Sequence, residues 1–183
     1  MKGIVFTELL EMVEQQHGFS VVNKIVEASA LPSQGIYTSV GTYPCSELVL
    51  LLQSLSTQTG EAFPDLLTTF GNHLFTRFVV SFPALFAEYD DCFGFLERLD
   101  TEIHVEVRKL YPEAELPSFD CRYQTADVLE MEYRSPRGLA NFALGLLTKC
   151  IEHFGEPIEL LQRELAEDGT HCLFELRRSS TNV

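Results

Sequence analysis

Tyr133, Ser135 and Arg137, all within the stretch MEYRSPRGLA, are the residues of this chain best placed to do chemistry. Arginine presents a planar fork of donors that grips a carboxylate or phosphate at two points, and neighbouring hydroxyls can add donors. An alternating run, Val128, Leu129, Met131 and Tyr133, leads into Ser135-Pro136, and a helical pattern follows. Serine is a preferred N-cap and proline is favoured at the first helical position, so the segment predicts a strand turning into a helix. Helix N-termini carry free N–H groups and the positive end of the dipole, which also suits an anion. The three side chains form a candidate pocket for an anionic group. The plain alternative is a helix start with Arg137 as a surface cation.

His104, in TEIHVEVRKLYP, is the second candidate. On a helix wheel its neighbours are Asp100, Val107, Arg108 and Tyr111, and it stands about 100° from Ile103, at the margin of the apolar stripe. A histidine in that position is more often a packing residue than a ligand. Beside the Tyr133–Arg137 cluster and many Phe and Leu positions, it acquires a second reading. Haem needs an axial ligand, partners for two propionates and an apolar pocket.

The elements that must position these residues follow from hydrophobic period. Residues 1 to 111 read as helical. Val5, Leu9, Met12 and Val13 form one stripe, and Val21, Val22, Ile25 and Val26 a second. Helices are predicted from Ser46 to near Gly60, from Phe63 to Phe82, and from about Cys92 to Leu110. Pro112 ends the last. Beyond Pro117 the period shortens: SFDCRYQTADVLEMEYRS predicts two strands about a turn at Thr125-Ala126-Asp127. A helix from Arg137 to Phe154, with Gly155 as C-cap, precedes two more strands, Ile158–Leu165 and Cys172–Leu176. The order implies an α+β fold, a helical N-terminal part packed on a small antiparallel four-stranded sheet with one inserted helix. We expect one domain over 1–183, with a helical part at 1–111, an α/β part at 112–178 and a frayed tail at 179–183.

Composition excludes several functions. The 183 residues are 45% hydrophobic, with 14 Phe, no Trp and a formal net charge of −14. Such a chain does not bind nucleic acid through its phosphates, and it disfavours anionic membrane surfaces. No stretch predicts a membrane span. The N-terminus carries Glu8, Glu11 and Glu14 within its apolar pattern and reads as an amphipathic helix, not a signal peptide. The five cysteines, 45, 92, 121, 150 and 172, are read as reduced thiols of a cytoplasmic protein. A zinc site from Cys150, His171 and Cys172 is the minor reading; small core residues are the major one. His17, at a helix end, and His73, His153 and His171 are read as surface or packing residues.

The opening MKGIVFTELLEMVEQQHG, the central IHVEVRKLYPEAELPSF and the later YRSPRGL resemble the H-NOX family, the haem-nitric oxide/oxygen binding domains. Order and spacing agree from residue 1 to about 175. The resemblance implies haem b (Fe) held between the helical part and the sheet, with His104 as proximal iron ligand. It implies that Tyr133, Ser135 and Arg137 hold the propionates and that Pro117 presses on the porphyrin and distorts it. Val5, Leu9, Leu74, Phe78, Phe142 and Leu146 fall where the family lines the distal pocket. Oxygen-binding members carry a tyrosine five residues beyond the arginine; here that position is Phe142. Bound O₂ carries partial negative charge, and losing its hydrogen bond costs roughly 1–3 kcal/mol, about tenfold to over a hundredfold in affinity. NO needs no such bond. The expected protein has a five-coordinate ferrous haem that binds NO and CO and excludes O₂. Some relatives carry zinc, through a helix cysteine and a histidine and two cysteines in the last hairpin. Ala140 stands at the helix position and only Cys172 remains in the hairpin, so no such zinc is expected.

By resemblance, NO weakens the trans iron–histidine bond, and release of His104 frees its helix. With no room for a kinase or cyclase domain after the last strand, we expect the signal to pass to a separate sensor histidine kinase or diguanylate cyclase/phosphodiesterase of cyclic di-GMP signalling. Two other readings stay open. One is a haem redox enzyme, which would want a distal acid–base group that the apolar distal positions lack. The other is a haem-free module binding a carboxylate or acidic peptide.

Overall fold

The computed structural model describes residues 1–110, 112 and 115–179, with the side chain of Leu110 excepted. Tyr111, one of the wheel neighbours of His104, and residues 180–183 of the expected tail lie outside the described residues. The helical part comprises α1 (Gly3–His17), α2 (Phe19–Ala28), α3 (Cys45–Thr59) and α4 (Phe63–Ser81). Their apolar stripes meet in one core: Phe6, Leu9, Met12 and Val13 from α1, Ile25 from α2, Leu48, Leu51, Leu52 and Leu55 from α3, and Leu66, Leu67, Phe70 and Leu74 from α4. Burying such side chains stabilises the fold by roughly 1.5–3 kcal/mol each before chain entropy is subtracted.

The second half is a sheet with one helix on its apolar face. Strands β1 (Ser118–Thr125), β2 (Val128–Arg134), β3 (Ile158–Arg163) and β4 (His171–Arg178) are all antiparallel in the order β1-β2-β4-β3. In the central pair Leu129 faces Leu176, Met131 faces Phe174 and Tyr133 faces Cys172. All six are buried, as alternation requires. Helix α7 (Ala140–Phe154) covers them with Ala143, Leu147, Cys150 and Ile151. The opposite face carries charge, with His171 and Arg134 on Glu132 and both Arg163 and Arg177 on Glu175.

Two helices join the halves. Leu74 of α4 belongs to the first core and Phe75, the next residue, to the second; Phe78 of α4 and Leu146 of α7 pack against both. Where α4 and α7 cross, the backbones nearly touch. A Cβ on Gly71 would stand 2.2 Å from the Phe142 carbonyl oxygen, and one on Gly145 2.1 Å from that of Thr68.

Two predicted helices are corrected. The expected continuous helix from Cys92 to Leu110 is broken. Helix α5 (Cys92–Glu97) ends at Arg98, a π-helical turn covers Leu99–Ile103, and α6 runs His104–Leu110. The turn widens where Ile103 N–H donates to the Arg98 carbonyl, five residues back, while Ile103 turns into the core and Asp100 engages strand β1. Those tertiary contacts outweigh the helical propensity of the run. The helix expected from Arg137 begins instead at Ala140, because Gly138 takes φ +67°. The strands are displaced by a few residues at their ends, Leu165 lying beyond β3 and His171, Arg177 and Arg178 extending β4.

Candidate functional site

His104 is the first residue of α6 and is 8% exposed. Its Nδ1–H donates to Asp100 Oδ1 at 2.6 Å. Asp100 Oδ2 accepts a second hydrogen bond, at 2.8 Å, from the backbone N–H of Phe119 in β1. Burial pushes the Asp100 carboxyl up, but the bonds from His104 and Phe119 outweigh it and the net shift is downward, so the group is an anion. In the tautomer that carries its hydrogen on Nδ1, the lone pair lies on Nε2. Among the described residues Nε2 has no hydrogen-bond partner. A buried imidazole with one nitrogen tied to a carboxylate and the other unengaged is the chemical form of a metal-ligating histidine.

Phe119 connects this residue to the hydroxyl–guanidinium cluster. Its ring centroid lies 5.9 Å from that of His104 and 5.5 Å from that of Tyr133. Tyr133 is 2% exposed. Burial raises its hydroxyl pKa, and Ser135, the Leu139 backbone and Arg137 pull it partly back.

Ser135 does not cap a helix. Its N–H donates to the Thr170 carbonyl and its Oγ accepts from Arg137 N–H at 3.3 Å. The turn 135–139 is thereby tied to the β3–β4 hairpin, where Ala140 N–H also donates to the Gly169 carbonyl. Anion binding here rests on side chains and not on a helix N-terminus, which corrects that part of the expectation. Tyr133 still interacts with Ser135 and Arg137, though Ser135 and Arg137 line different clefts.

Arg137 reaches a cleft of about 340 Å³ lined by Met1, Thr42, Tyr43, Pro44, Cys45 and Glu115. Its Nη2–H donates to Glu115 Oε2 at 2.8 Å, which holds that carboxyl below its usual range. The Met1 ammonium donates to the Tyr43 carbonyl at 2.7 Å, and burial and then Arg137 lower its pKa. Burial pushes the Cys45 thiol up, and the two cations partly offset that. Cationic groups thus meet at one mouth, and a carboxylate already sits on the Arg137 fork. The chemistry of this mouth fits a carboxylate-bearing ligand. The far side of the turn opens a second cleft of about 480 Å³, which includes Ser135, Pro136, Arg134 and His171.

Leu9 and Leu74 are buried in the helical core, and Val5, Phe78, Phe142 and Leu146 pack against the same core. The Phe142 ring stands 5.2 Å from that of Phe70. Pro117 is half-buried in the segment leading into β1.

The other histidines have partners other than the His104 and Arg137 groups, although His171 lines the second cleft. His73 contacts Glu8 at 3.2 Å and His171 contacts Glu132 at 2.8 Å. His17 faces Glu61 at 3.6 Å, and His153 packs among Phe75, Phe86 and Phe154. Cys150 Sγ lies 3.9 Å from Cys92 Sγ, and Cys172 Sγ donates to the Arg163 carbonyl. Among the described residues no three His, Cys, Asp or Glu side chains cluster as a metal site. None of their helices is long and apolar enough to cross a membrane.

Sequence reasoning placed Asp100 only as a wheel neighbour of His104 and passed over Phe119 and Glu115. An acid four residues before a buried histidine was the available signal for Asp100.

Comparisons with known proteins match the chain by sequence and by fold. The family described as haem-NO-binding matches residues 2–162. The fold superposes on the Fe(II) unliganded H-NOX protein from K. algicida with TM-score 0.94 and 44% identity, covering 100% of this chain and 99% of that one. An H-NOX protein from S. oneidensis in the Fe(II)NO state gives TM-score 0.90 at 30% identity, with 98% and 100% covered. Soluble guanylate cyclase 89Db of Drosophila melanogaster is 26% identical over 163 residues, 84% of this chain, and the match spans only 23% of that relative's length. The chain belongs to the haem-NO-binding family, whose H-NOX domains are haem-based gas sensors rather than enzymes.

Proposed function

We propose that this protein senses nitric oxide, and CO, through a His104-ligated haem b, excludes O₂, and reports to an effector protein in the cytoplasm. The observation that carries the reading is the His104 imidazole, buried, with Nδ1 committed to Asp100 and Nε2 without a hydrogen-bond partner among the described residues. Haem bound here would supply a ferrous iron able to bind a diatomic gas. His104 Nε2 would hold that iron on the proximal side. Tyr133, Ser135 and Arg137 would hold the propionates, Glu115 giving way at Arg137. Pro117 would lie against the macrocycle, and Val5, Leu9, Leu74, Phe78, Phe142 and Leu146 would wall the distal side.

Selectivity follows from what those six side chains lack: none has a hydrogen-bond donor. Stable O₂ binding is favoured by a donor and NO binding does not need one. Signalling rests on His104 moving. A shift of the His104 side chain would alter the packing of α6 and the π-helical turn, a local change that biases a larger arrangement. The effector is a sensor histidine kinase or a diguanylate cyclase/phosphodiesterase. The S. oneidensis relative in its Fe(II)NO state supports the choice of gas.

The test is the absorption spectrum of the haem-supplied, reduced protein in air and then under NO. A Soret band, no stable oxygenated spectrum and a shift under NO are expected. A stable oxygenated spectrum would overturn the selectivity, and no Soret band would favour a haem-free carboxylate-binding module. His104→Gly should respond to NO only when free imidazole is supplied; an unchanged response would remove His104 from the mechanism. Candidate effectors are to be assayed with and without NO.

A further inference from the structure

We infer that Asp100 is a positioning residue with two duties: it sets the imidazole of His104 and couples that imidazole to the first strand of the sheet. The inference rests on the haem reading for the first duty and stands without it for the second. The two carboxylate oxygens are divided between partners on different elements. Oδ1 takes the Nδ1–H of His104 at 2.6 Å, and Oδ2 takes the backbone N–H of Phe119 at 2.8 Å. The first bond selects the tautomer, fixes the ring about its Cβ–Cγ bond and makes Nε2 a stronger donor to a metal. The second satisfies an amide near the start of strand β1, two residues beyond Pro117.

The backbone is shaped to make this division possible. Asp100 lies inside the π-helical turn Leu99–Ile103, between α5 and α6, and that turn packs beside β1. Single π-helical turns in proteins concentrate at functional positions. Phe119 itself touches both sides of the site, with its ring between those of His104 and Tyr133. A displacement of His104 therefore pulls on one carboxylate oxygen while the other holds the segment that carries Pro117 and Phe119. The sheet receives the movement through Asp100 and not only through the prosthetic group.

The test uses Asp100→Asn and Asp100→Ala in the full chain. Asparagine keeps one acceptor oxygen and presents its amide to whichever partner that oxygen does not serve; alanine removes both acceptors. In the reduced, haem-supplied protein the iron–histidine stretching band in the resonance Raman spectrum is expected at lower frequency in Asp100→Ala than in the wild type. In the haem-free protein the Phe119 amide is expected to exchange with solvent about tenfold faster or more, since a charge-assisted bond has been lost. Asp100→Asn, the milder change should Asp100→Ala fail to fold, is expected to lie between wild type and alanine on at least one of the two measures. An unchanged stretching band overturns the positioning duty, and unchanged Phe119 exchange overturns the coupling. A protein that takes up no haem overturns the haem reading, and the positioning duty with it; the exchange measurement still decides the coupling.

Discussion

Phe142 lies on the side of α7 that meets α4, and its side chain carries no hydrogen-bond donor. On the proposed distal assignment, Phe142→Tyr would add one hydroxyl at a half-buried position that packs against the helical core. Oxygen affinity of the reduced, haem-loaded variant is expected to rise by about tenfold to a hundredfold, the equivalent of a buried hydrogen bond. Oxygen titration followed by absorbance reads this directly, and an unchanged affinity would place the discrimination elsewhere. Residue types were the most legible layer of this chain. His104, Tyr133, Ser135 and Arg137 were singled out as candidates from their chemistry and spacing, and their proposed haem-holding roles come from the family resemblance. Their partners Asp100, Phe119 and Glu115 were not, because each acts through a contact that sequence distance hides. Asp100 needs strand β1 to give its second oxygen a donor. Glu115 needs Arg137, twenty-two residues away, to become more than an exposed carboxylate.

Among the elements, the start of α7 shows where local signals lose to tertiary ones. Ser135-Pro136 has the chemistry of a helix start, yet the chain first makes a turn at Gly138 with φ +67°. A Cβ there would stand 2.3 Å from the Asp168 carbonyl oxygen, so the β3–β4 hairpin occupies the space that a helical first turn with side chains would need. Gly138→Ala meets both the backbone conformation and the contact. It is expected to destabilise the fold by about 1–3 kcal/mol, visible as a lower urea midpoint. Because Arg137 is the adjoining residue, weaker haem retention should accompany the loss. A wild-type midpoint would mean that the turn relaxes freely. The interrupted α5–α6 segment follows the same logic. Its apolar period is continuous in sequence, and only the docking of Ile103 and Asp100 reveals the extra residue in the turn. The strands were easier to read, since alternation in β2 and β4 reports directly on which face is buried.

At the scale of the whole molecule, α4 and α7 form the wall between two cores and contribute side chains to both. Their close crossing depends on Gly71 and Gly145 having no side chain. Gly145→Ala would set a methyl group 2.1 Å from a backbone oxygen of α4, so the helices must separate. A cost of about 1–3 kcal/mol is expected from such overpacking, measured by chemical denaturation; a cost near zero would show that the crossing has room to spare. The formal charge of −14 gives the chain a net acidic bias, so an effector docking on it is expected to present basic side chains. The shared wall has a thermodynamic consequence. Neither core can melt without exposing apolar surface belonging to the other, so the two halves form one cooperative unit. Whatever occupies the seam acts on a single equilibrium, and its affinity will be read out as a shift of one melting transition for the entire chain.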